Sequence, residues 1–308
     1  MIEITRILCP IDFSDYSRHA LDHAVAVARS YDSTITLLHV CSVVPVAAYA
    51  PGTPILPSVV LTPADRDELL ASMRRFAEDE AGSGLPIQLE ICEGNAAVEI
   101  LARASAMPSD LIVMGTHGRS GFERLVLGSV TERVLRKAAC PVLSVPRHVR
   151  DAVPALPVLF KDILCAIDFS DCSINALNYA MSLAQEADAR LTVLHVIELF
   201  PELPADMTET VQGGPRNLTE YVAAVEQDRR ARLKAAVPES VRTYCAVETV
   251  LATGKPYREI LRVAMEQHSD LVVIGVHGRG ATDLLFFGST TQHVVRQATC
   301  PVLTLRRG

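Results

Sequence analysis

The sequence is short of the features that most directly name a chemistry. It has no G-x-x-x-x-G-K-[ST] phosphate loop and no G-x-G-x-x-G dinucleotide fingerprint, which removes two large groups of nucleotide enzymes. It has no G-x-S-x-G nucleophile elbow, since Gly118-Arg119-Ser120-Gly121 carries its serine at the wrong spacing. None of the eight cysteines form a C-x-x-C pair, and no His, Cys and Asp set falls at zinc-ligand spacing. No general base with an orienting partner can be picked out. Basic charge is in deficit: 29 Lys and Arg against 36 Asp and Glu leave a net charge of -7, which argues against a broad nucleic-acid-binding surface. The most apolar stretch, Val40 to Val60, is interrupted by Pro45, Pro51, Pro54 and Pro57 and cannot span a membrane as a helix. Met1 to Arg6 contains Glu3 and no basic region ahead of an apolar core, so no signal peptide is expected. Together these absences predict a soluble, cytoplasmic protein with free thiols, no nucleic-acid partner and no membrane association.

What is present is length, apolar content and repetition. The chain has 308 residues, about twice the ~150 of a typical domain. With 49% hydrophobic and 21% charged residues it can bury a core in each half and is not a disordered chain. Residues 6–40 align with 162–196 at an offset of 156 with 18 identities in 35 positions, among them Cys9/Cys165, Asp12/Asp168, Phe13/Phe169, Ser14/Ser170 and His39/His195. Later the offset is 160: Gly94 matches Gly254, Gly115 matches Gly275, and Cys140-Pro141-Val142-Leu143 matches Cys300-Pro301-Val302-Leu303. Such a period is too long for a solenoid repeat and marks a duplicated domain. The expected domains are 1–147 and 158–308, with a linker at His148 to Pro157. The matched cysteines read as small buried hydrophobes rather than redox or metal groups.

Within one repeat the hydrophobic period alternates. Ile7 to Ile11, Thr34 to Val40, Ile87 to Ile91, Leu111 to Met114 and Val142 to Val145 read as strands. Ser14 to Ser30, Pro63 to Ala81, Ala96 to Ala106 and Ser129 to Ala139 read as helices, the first with Tyr16, Ala20, Leu21, Ala24, Val25 and Ala28 along one stripe. Continuous apolar strands alternating with helices predict a parallel sheet covered on both faces. The fold class is therefore α/β, two tandem doubly wound domains, each with five parallel strands.

Ligands of such sheets bind beyond the carboxyl ends of the strands, where the strand order reverses. Two strand ends carry unusual residues. Asp12-Phe13-Ser14-Asp15 follows the first strand, and either Ser14 or Asp15 can cap the next helix. Asp12 lies too early to be the cap, and as a strand-end carboxylate repeated at Asp168 it is positioned to accept hydrogen bonds from a ligand. Gly115-Thr116-His117-Gly118, nine residues and Gly128-Ser129 follow the fourth strand; Gly275-Val276-His277-Gly278, nine residues and Gly288-Ser289 repeat the pattern G-x-x-G-x9-G-S. The glycines are expected to permit positive φ and close approach of a ligand. The helix opening at Ser129 offers free N–H groups and a hydroxyl to an anion. His117 and His277, beside Arg119 and Arg279, read first as exposed loop residues. His39 and His195 read as satisfied structural histidines.

These motifs resemble the tandem, two-domain form of the universal stress protein family, over about 1–147 and 158–307. The resemblance implies a strand order of 3-2-1-4-5 and, in nucleotide-binding members, adenosine held by the strand-end aspartate and the end of the second strand. The glycine loop and serine then hold the phosphates of ATP, with Mg²⁺ as the expected accompanying cation. Carried over by position, the first site comprises Asp12, Val40, Gly115, Gly118, Gly128, Ser129 and Val130. The second comprises Asp168, Val196, Gly275, Gly278, Gly288, Ser289 and Thr290. No metal ligand and no catalytic residue is assigned. Members without the glycines do not bind ATP, and neither repeat here has lost them. The departures are Pro10 to Ala166, Thr116 to Val276 and Val130 to Thr290.

The resemblance thus implies an ATP-binding stress protein whose nucleotide occupancy changes stability or partner choice. The alternatives are a slow ATP hydrolase or phosphotransferase, and an interaction module that binds no nucleotide. Pairing of the repeats as an intramolecular pseudo-dimer is expected, with Val142 to Val145 and Val302 to Leu305 as candidate edge strands, and a homodimer is a further possibility. Two loops differ between the halves: Cys41 to Thr62 is apolar and Pro-rich, and Glu198 to Glu220 is acidic. The first reads as a lid or interface.

Overall fold

Apolar runs with no alternation become strands buried on both faces. In the computed structural model, which describes residues 2–42, 61–81, 84–118, 127–146, 160–198, 215–276 and 288–306, β1 (Arg6–Ile11) is buried at all but its first residue and β4 (Leu111–Gly115) throughout. Around them run α1 (Asp15–Tyr31), β2 (Thr34–Cys41), α2 (Pro63–Ala81), β3 (Ile87–Glu93), α3 (Ala96–Ala106), α4 (Ser129–Lys137) and β5 (Val142–Val145). The chain divides into two compact units, Glu3–Leu159 and Phe160–Gly308, the latter counted with Met1–Ile2.

The first sheet has the order β3-β2-β1-β4-β5, all described pairings parallel. β1 pairs with β2 from Arg6↔Thr34 to Ile11↔His39 and with β4 at Ile7↔Leu111 and Leu8↔Ile112. The order reverses between β1 and β4, so their carboxyl ends flank the crevice of the doubly wound plan. Helices α1 and α2 pack together, as do α3 and α4, and α1 packs on β4 while α3 packs on β2.

The second unit repeats this plan with β6 (Asp162–Ala166), α5 (Asp171–Ala187), β7 (Arg190–Ile197), α6 (Pro215–Ala235), α7 (Glu239–Tyr244), β8 (Val247–Thr253), α8 (Pro256–Glu266), β9 (Leu271–Gly275), α9 (Ser289–Gln297) and β10 (Val302–Leu305). Its order is β8-β7-β6-β9-β10, again 3-2-1-4-5 within the repeat. The second unit adds α7, a short helix between α6 and β8, where the first unit passes from α2 to β3 through five residues. The acidic Glu198 to Glu220 segment is partly helix, since α6 begins at Pro215; positions 199–214, and 43–60 of the apolar loop, lie outside the described residues. Among the described residues no helix is long and apolar enough to cross a membrane.

Cys9 and Cys165 are fully buried in β1 and β6, and burial pushes both thiols up, for Cys9 with help from Asp22. Burial likewise pushes Cys140 up to about 11. A thiol so held is protonated and behaves as a small hydrophobe.

The repeats solve one packing problem in two ways. Arg103 Nε of α3 lies 2.6 Å from Glu90 Oε2 of β3, with both side chains about three-quarters buried. At an offset of 160 the second repeat places Val263 and Val250 at these positions. Removing one member of a partly buried pair strands the other, whereas an apolar pair of fitting shape avoids the desolvation cost altogether. Arg103→Ala is therefore expected to lower stability by about 1–2 kcal/mol, and Glu90→Val with Arg103→Val to leave it within about 1 kcal/mol of wild type; urea unfolding measures both.

A carboxylate at the foot of each sheet ties the start of β4 or β9 to its neighbour. Asp110 Oδ2 accepts from Thr5 N at 2.9 Å, Thr5 Oγ1 at 2.7 Å and Arg6 N at 2.9 Å. Burial pushes Asp110 up, but these bonds and the Arg6 guanidinium outweigh it and hold the carboxyl below its usual range. Asp270 accepts from Lys161 N at 2.6 Å and Asp162 N at 3.1 Å, with no hydroxyl donor from Lys161. Burial, with the Asp162 charge added, pushes Asp270 up to about 6 despite its backbone donors. The folded state then holds a proton that the unfolded state releases, so this group's contribution to stability falls as pH rises from about 4 to about 6. Lys161→Thr, which restores the hydroxyl found at Thr5, is expected to shrink that fall. Urea denaturation at pH 4.5 and 6.5 compares the two proteins.

Candidate functional site

The crevice is built from the turn that leaves β1. Ser14 is the N-cap of α1: its side chain accepts from Ser17 N at 3.3 Å, so of the two candidate caps Ser14 serves. Asp12 supports that turn. Its Oδ1 accepts from Ser14 N at 3.1 Å, from Ser14 Oγ at 2.6 Å and from Ser17 Oγ at 2.5 Å. The intervening Phe13 is left at φ 64°, a left-handed conformation that costs a non-glycine residue about 1–2 kcal/mol. Its ring lies 4.8 Å from that of His39 and 5.6 Å, edge-on, from Phe76, and Arg18 stacks over Phe76 at 4.0 Å.

The second repeat makes the same turn with one exchange. Asp168 Oδ1 accepts from Ser170 N at 3.0 Å and Ser170 Oγ at 2.6 Å, and Phe169 has φ 63°. Ser173 Oγ turns instead to the Ser170 carbonyl at 2.9 Å. His195 sits 4.5 Å from Phe169, and the cation over that ring is Arg232 of α6, at 4.4 Å. Both histidines meet the structural expectation: His39 Nδ1 lies 2.9 Å from the Ile11 carbonyl and His195 Nδ1 2.8 Å from that of Ile167, so Nδ1–H donates. The left-handed Phe was not foreseen, because nothing in Asp-Phe-Ser names a positive φ; its repetition in both halves was the available signal.

The glycines serve close approach, not unusual backbone angles. The expectation of positive φ fails for Gly115, Gly118, Gly128, Gly275 and Gly288, none of which adopts it. The physical reason is proximity. A Cβ on Gly115 would lie 2.7 Å from Tyr16 Cβ and 3.0 Å from Tyr16 backbone, because α1 crosses β4 there; Gly275 meets Cys172 in the same way. A Cβ on Gly118 would fall against Asp12 Oδ2. A Cβ on Gly128 would stand 2.9 Å from the Thr116 carbonyl oxygen, which Gly128 N–H itself engages at 3.0 Å. Gly288 repeats this with Val276, at 3.0 and 3.1 Å.

The loop is thereby closed onto the start of α4. Thr131 Oγ1 donates to the Gly115 carbonyl at 2.9 Å, and Thr291 to Gly275 at 2.8 Å, fixing each helix to its strand. Gly128 and Gly288 are the N-caps, and these helices, like α7 and α8, have no side-chain capping bond, whereas α1, α3 and α5 are capped by Ser14, Asn95 and Ser170. Ser129 and Ser289 are the first helical residues and both are exposed, followed by half-buried Val130 and Thr290. Val40 and Val196 stand half-buried at the ends of β2 and β7, across from Cys92 and Ala252. The structure thus gathers Asp12, Gly115, Gly118, Gly128, Ser129 and Val130 around one crevice mouth, with Val40 one strand away. It does the same for Asp168, Gly275, Gly288, Ser289, Thr290 and Val196, while Gly278 and His277 lie outside the described residues.

The duplication extends to family level. The universal stress protein family matches residues 3–146 and, a second time, 159–306. The chain belongs to that family. A universal stress protein of Methanocaldococcus jannaschii is 40% identical over 147 residues, 47% of this chain and 84% of its own. One from Mycolicibacterium smegmatis is 27% identical over 307 residues, 97% of this chain and 96% of its own. The crystal structure of a universal stress protein from Archaeoglobus fulgidus shares the fold at a TM-score of 0.66 and 22% identity, covering 100% of this chain and 98% of that one. In this universal stress protein Gly115 has a packing role whatever binds in the crevice. Gly115→Ala is expected to cost about 1–3 kcal/mol by forcing α1 off β4, with the loss measured in thermal unfolding without added ligand; an unchanged melting temperature would contradict the contact.

Proposed function

We propose that each repeat is an adenine-nucleotide site taking ATP, and that the protein acts as a nucleotide-dependent regulatory binding protein of the stress response. The observation that carries this reading is the pair of helices, α4 and α9, whose glycine N-caps are bonded to the residues just after β4 and β9, so that both helices open at the carboxyl ends of those strands, beside the switch point of each sheet. The first N–H groups of a helix have no intrahelical acceptor and carry the positive end of the helix dipole. Among the described residues no side chain caps α4 or α9, and Ser129 and Ser289 add a hydroxyl there. An anion placed there would satisfy them.

The rest of the crevice fits a nucleotide attached to that anion. Gly118 and Gly128 keep the floor free of side chains, and Asp12 and the main chain at Val40 line the side away from α4, where a nucleoside would sit. In the second repeat Asp168, Val196, Gly275, Gly278, Gly288, Ser289 and Thr290 are assigned the same tasks; Thr290 keeps the backbone N–H that Val130 offers. Among the described residues no group of three or more His, Cys, Asp or Glu gathers to hold a metal. The accompanying Mg²⁺ is assigned to the polyphosphate.

The reading favours occupancy over turnover. Asp12 Oδ1 already accepts three hydrogen bonds within its turn, which commits it to holding α1 rather than to taking a proton from water. A ligand bound only to the folded state stabilises it by mass action, about 2.7 kcal/mol at a hundredfold excess over Kd, and that gain is the regulatory signal. The purified protein, denatured and extracted, is expected to release adenine nucleotide at up to two moles per chain by mass spectrometry, or to bind added Mg·ATP. Absence of both would overturn the reading, and conversion of ATP at more than a few turnovers per hour would favour a hydrolase.

A further inference from the structure

Away from the crevices, the second unit has a groove of about 480 Å³ between α8 and the turn that carries α9 into β10. Tyr257, Arg258, Leu261 and Met265 of α8 form one wall, and Ala298 and Cys300 belong to the other. From Tyr257 to Met265 the helix advances about 12 Å. The Tyr257 end is pinned. Its ring stacks on that of His293 of α9 at 4.5 Å with 26° between the planes, and His293 Nδ1 lies 2.7 Å from the Ser289 carbonyl one turn back. Beyond Tyr257 the apolar lining is aliphatic or sulfur-bearing, and Met265 stays 61% exposed, an apolar side chain that the core does not use.

Charge is unevenly placed along this groove. Arg262, midway, is compensated by Glu259 at 2.7 Å and Glu266 at 2.6 Å. Arg258 has no carboxylate partner among the described residues; its Nε–H donates to Tyr257 Oη at 3.1 Å, and its guanidinium lies 5.8 Å from that ring. Holding Nε in this way leaves the two Nη groups, the fork that grips a carboxylate. Lys255, the N-cap of α8, and the positive end of the helix dipole stand at the same end.

The fold does not depend on these side chains. At an offset of 160, Tyr257, Arg258, Arg262 and Met265 correspond to Ala97, Val98, Ala102 and Ser105, so α3 has neither the ring nor the cations at those positions. Even so, α3 packs on β2 and α4 as α8 packs on β7 and α9.

An uncompensated cation at one end of an apolar trough matches one kind of occupant. We infer that this groove binds an amphipathic anion, an alkyl chain ending in a carboxylate, with Arg258 holding the head group and Leu261, Met265, Ala298 and Cys300 receiving the chain. The site goes beyond the nucleotide reading and stands independently of it. Its volume is that of a small-molecule site. Burial of the chain supplies the apolar part of the affinity, and Arg258 fixes which end of the ligand lies at Tyr257.

Calorimetric titration of the full-length chain with octanoate, with octanol as the uncharged comparison, tests the inference. Octanoate is expected to bind at one site per chain, and octanol about tenfold more weakly for want of the charge-assisted bonds. Arg258→Val, which installs the side chain of Val98, should weaken octanoate about tenfold and leave octanol unchanged. Met265→Glu should weaken both. Arg258 and Met265 are exposed, so neither change disturbs the core. In wild type the Met265 methyl resonance should shift over the same range of octanoate concentration. No saturable binding of octanoate, equal losses of octanoate and octanol in Arg258→Val, or unaltered octanoate binding in Met265→Glu would each overturn it. So would dimerisation in light scattering that Met265→Glu abolishes, which would give the groove to a second copy of the chain.

Discussion

Asp12 Oδ1 and its bonds to Ser14 and Ser17 set the geometry from which the crevice is assembled. They fix where α1 begins, and a fixed α1 brings Tyr16 backbone onto β4 at Gly115. They also turn Phe13 into the left-handed region, where His39, itself tied to the Ile11 carbonyl, and Phe76 receive its ring. With the carboxylate held by Oδ1, Oδ2 faces Gly118, and only glycine leaves room there. One side chain thus connects the strand end, the helix start and the glycine loop. The second repeat preserves the carboxylate and both bonds to Ser170, while Ser173 Oγ donates to the Ser170 carbonyl and accepts from the Asp168 N–H.

Comparison of the repeats separates frame from surroundings. The Asp–Ser bonds of the turn, the Thr131 and Thr291 bonds to the strand-end carbonyls and the close contacts at Gly115/Gly275 and Gly128/Gly288 recur in both copies. Side chains that fill space around that frame have diverged in compensated sets. Arg18 over Phe76 gives way to Arg232 over Phe169, and the Glu90–Arg103 ion pair gives way to two valines. Tyr16 and Thr116 give way to Cys172, buried against Gly275 with its thiol on the Leu305 carbonyl, and to buried Val276.

Much of the architecture was legible in the residues. Strands such as Leu111 to Met114 have no alternation, helices such as 14–30 carry a stripe, and the duplication doubles each signal. The glycine loop was legible as a location and less so as a cause. Sequence reasoning assigned its glycines to positive φ and ligand approach, whereas Gly115, Gly118 and Gly128 are required by Tyr16, Asp12 and the Thr116 carbonyl. Those neighbours come from other elements, and one chain position does not show what another element will press against it. The strained Phe13 was hidden for a related reason: local preference disfavours its conformation, and only the Asp12 bonds and the aromatic neighbours hold it. Likewise the Asp110 and Asp270 clamps depend on which strand lies alongside, as does the opposite direction of their shifts.

The proposed nucleotide site depends on the strand–turn–helix frame leaving the first N–H groups of α4 and α9 at the crevices for the phosphates to satisfy. Backbone amide hydrogen exchange of the full-length chain, with and without Mg·ATP, tests that claim at the atoms it names. Slowed exchange is expected at the N–H groups of Ser129–Thr131 and Ser289–Thr291, with lesser protection at the ends of β1, β2, β6 and β7, while the Gly128 and Gly288 N–H groups, already bonded to the Thr116 and Val276 carbonyls, change little. Unchanged exchange at both helix starts in the presence of saturating nucleotide, or protection centred elsewhere on the chain, would contradict it.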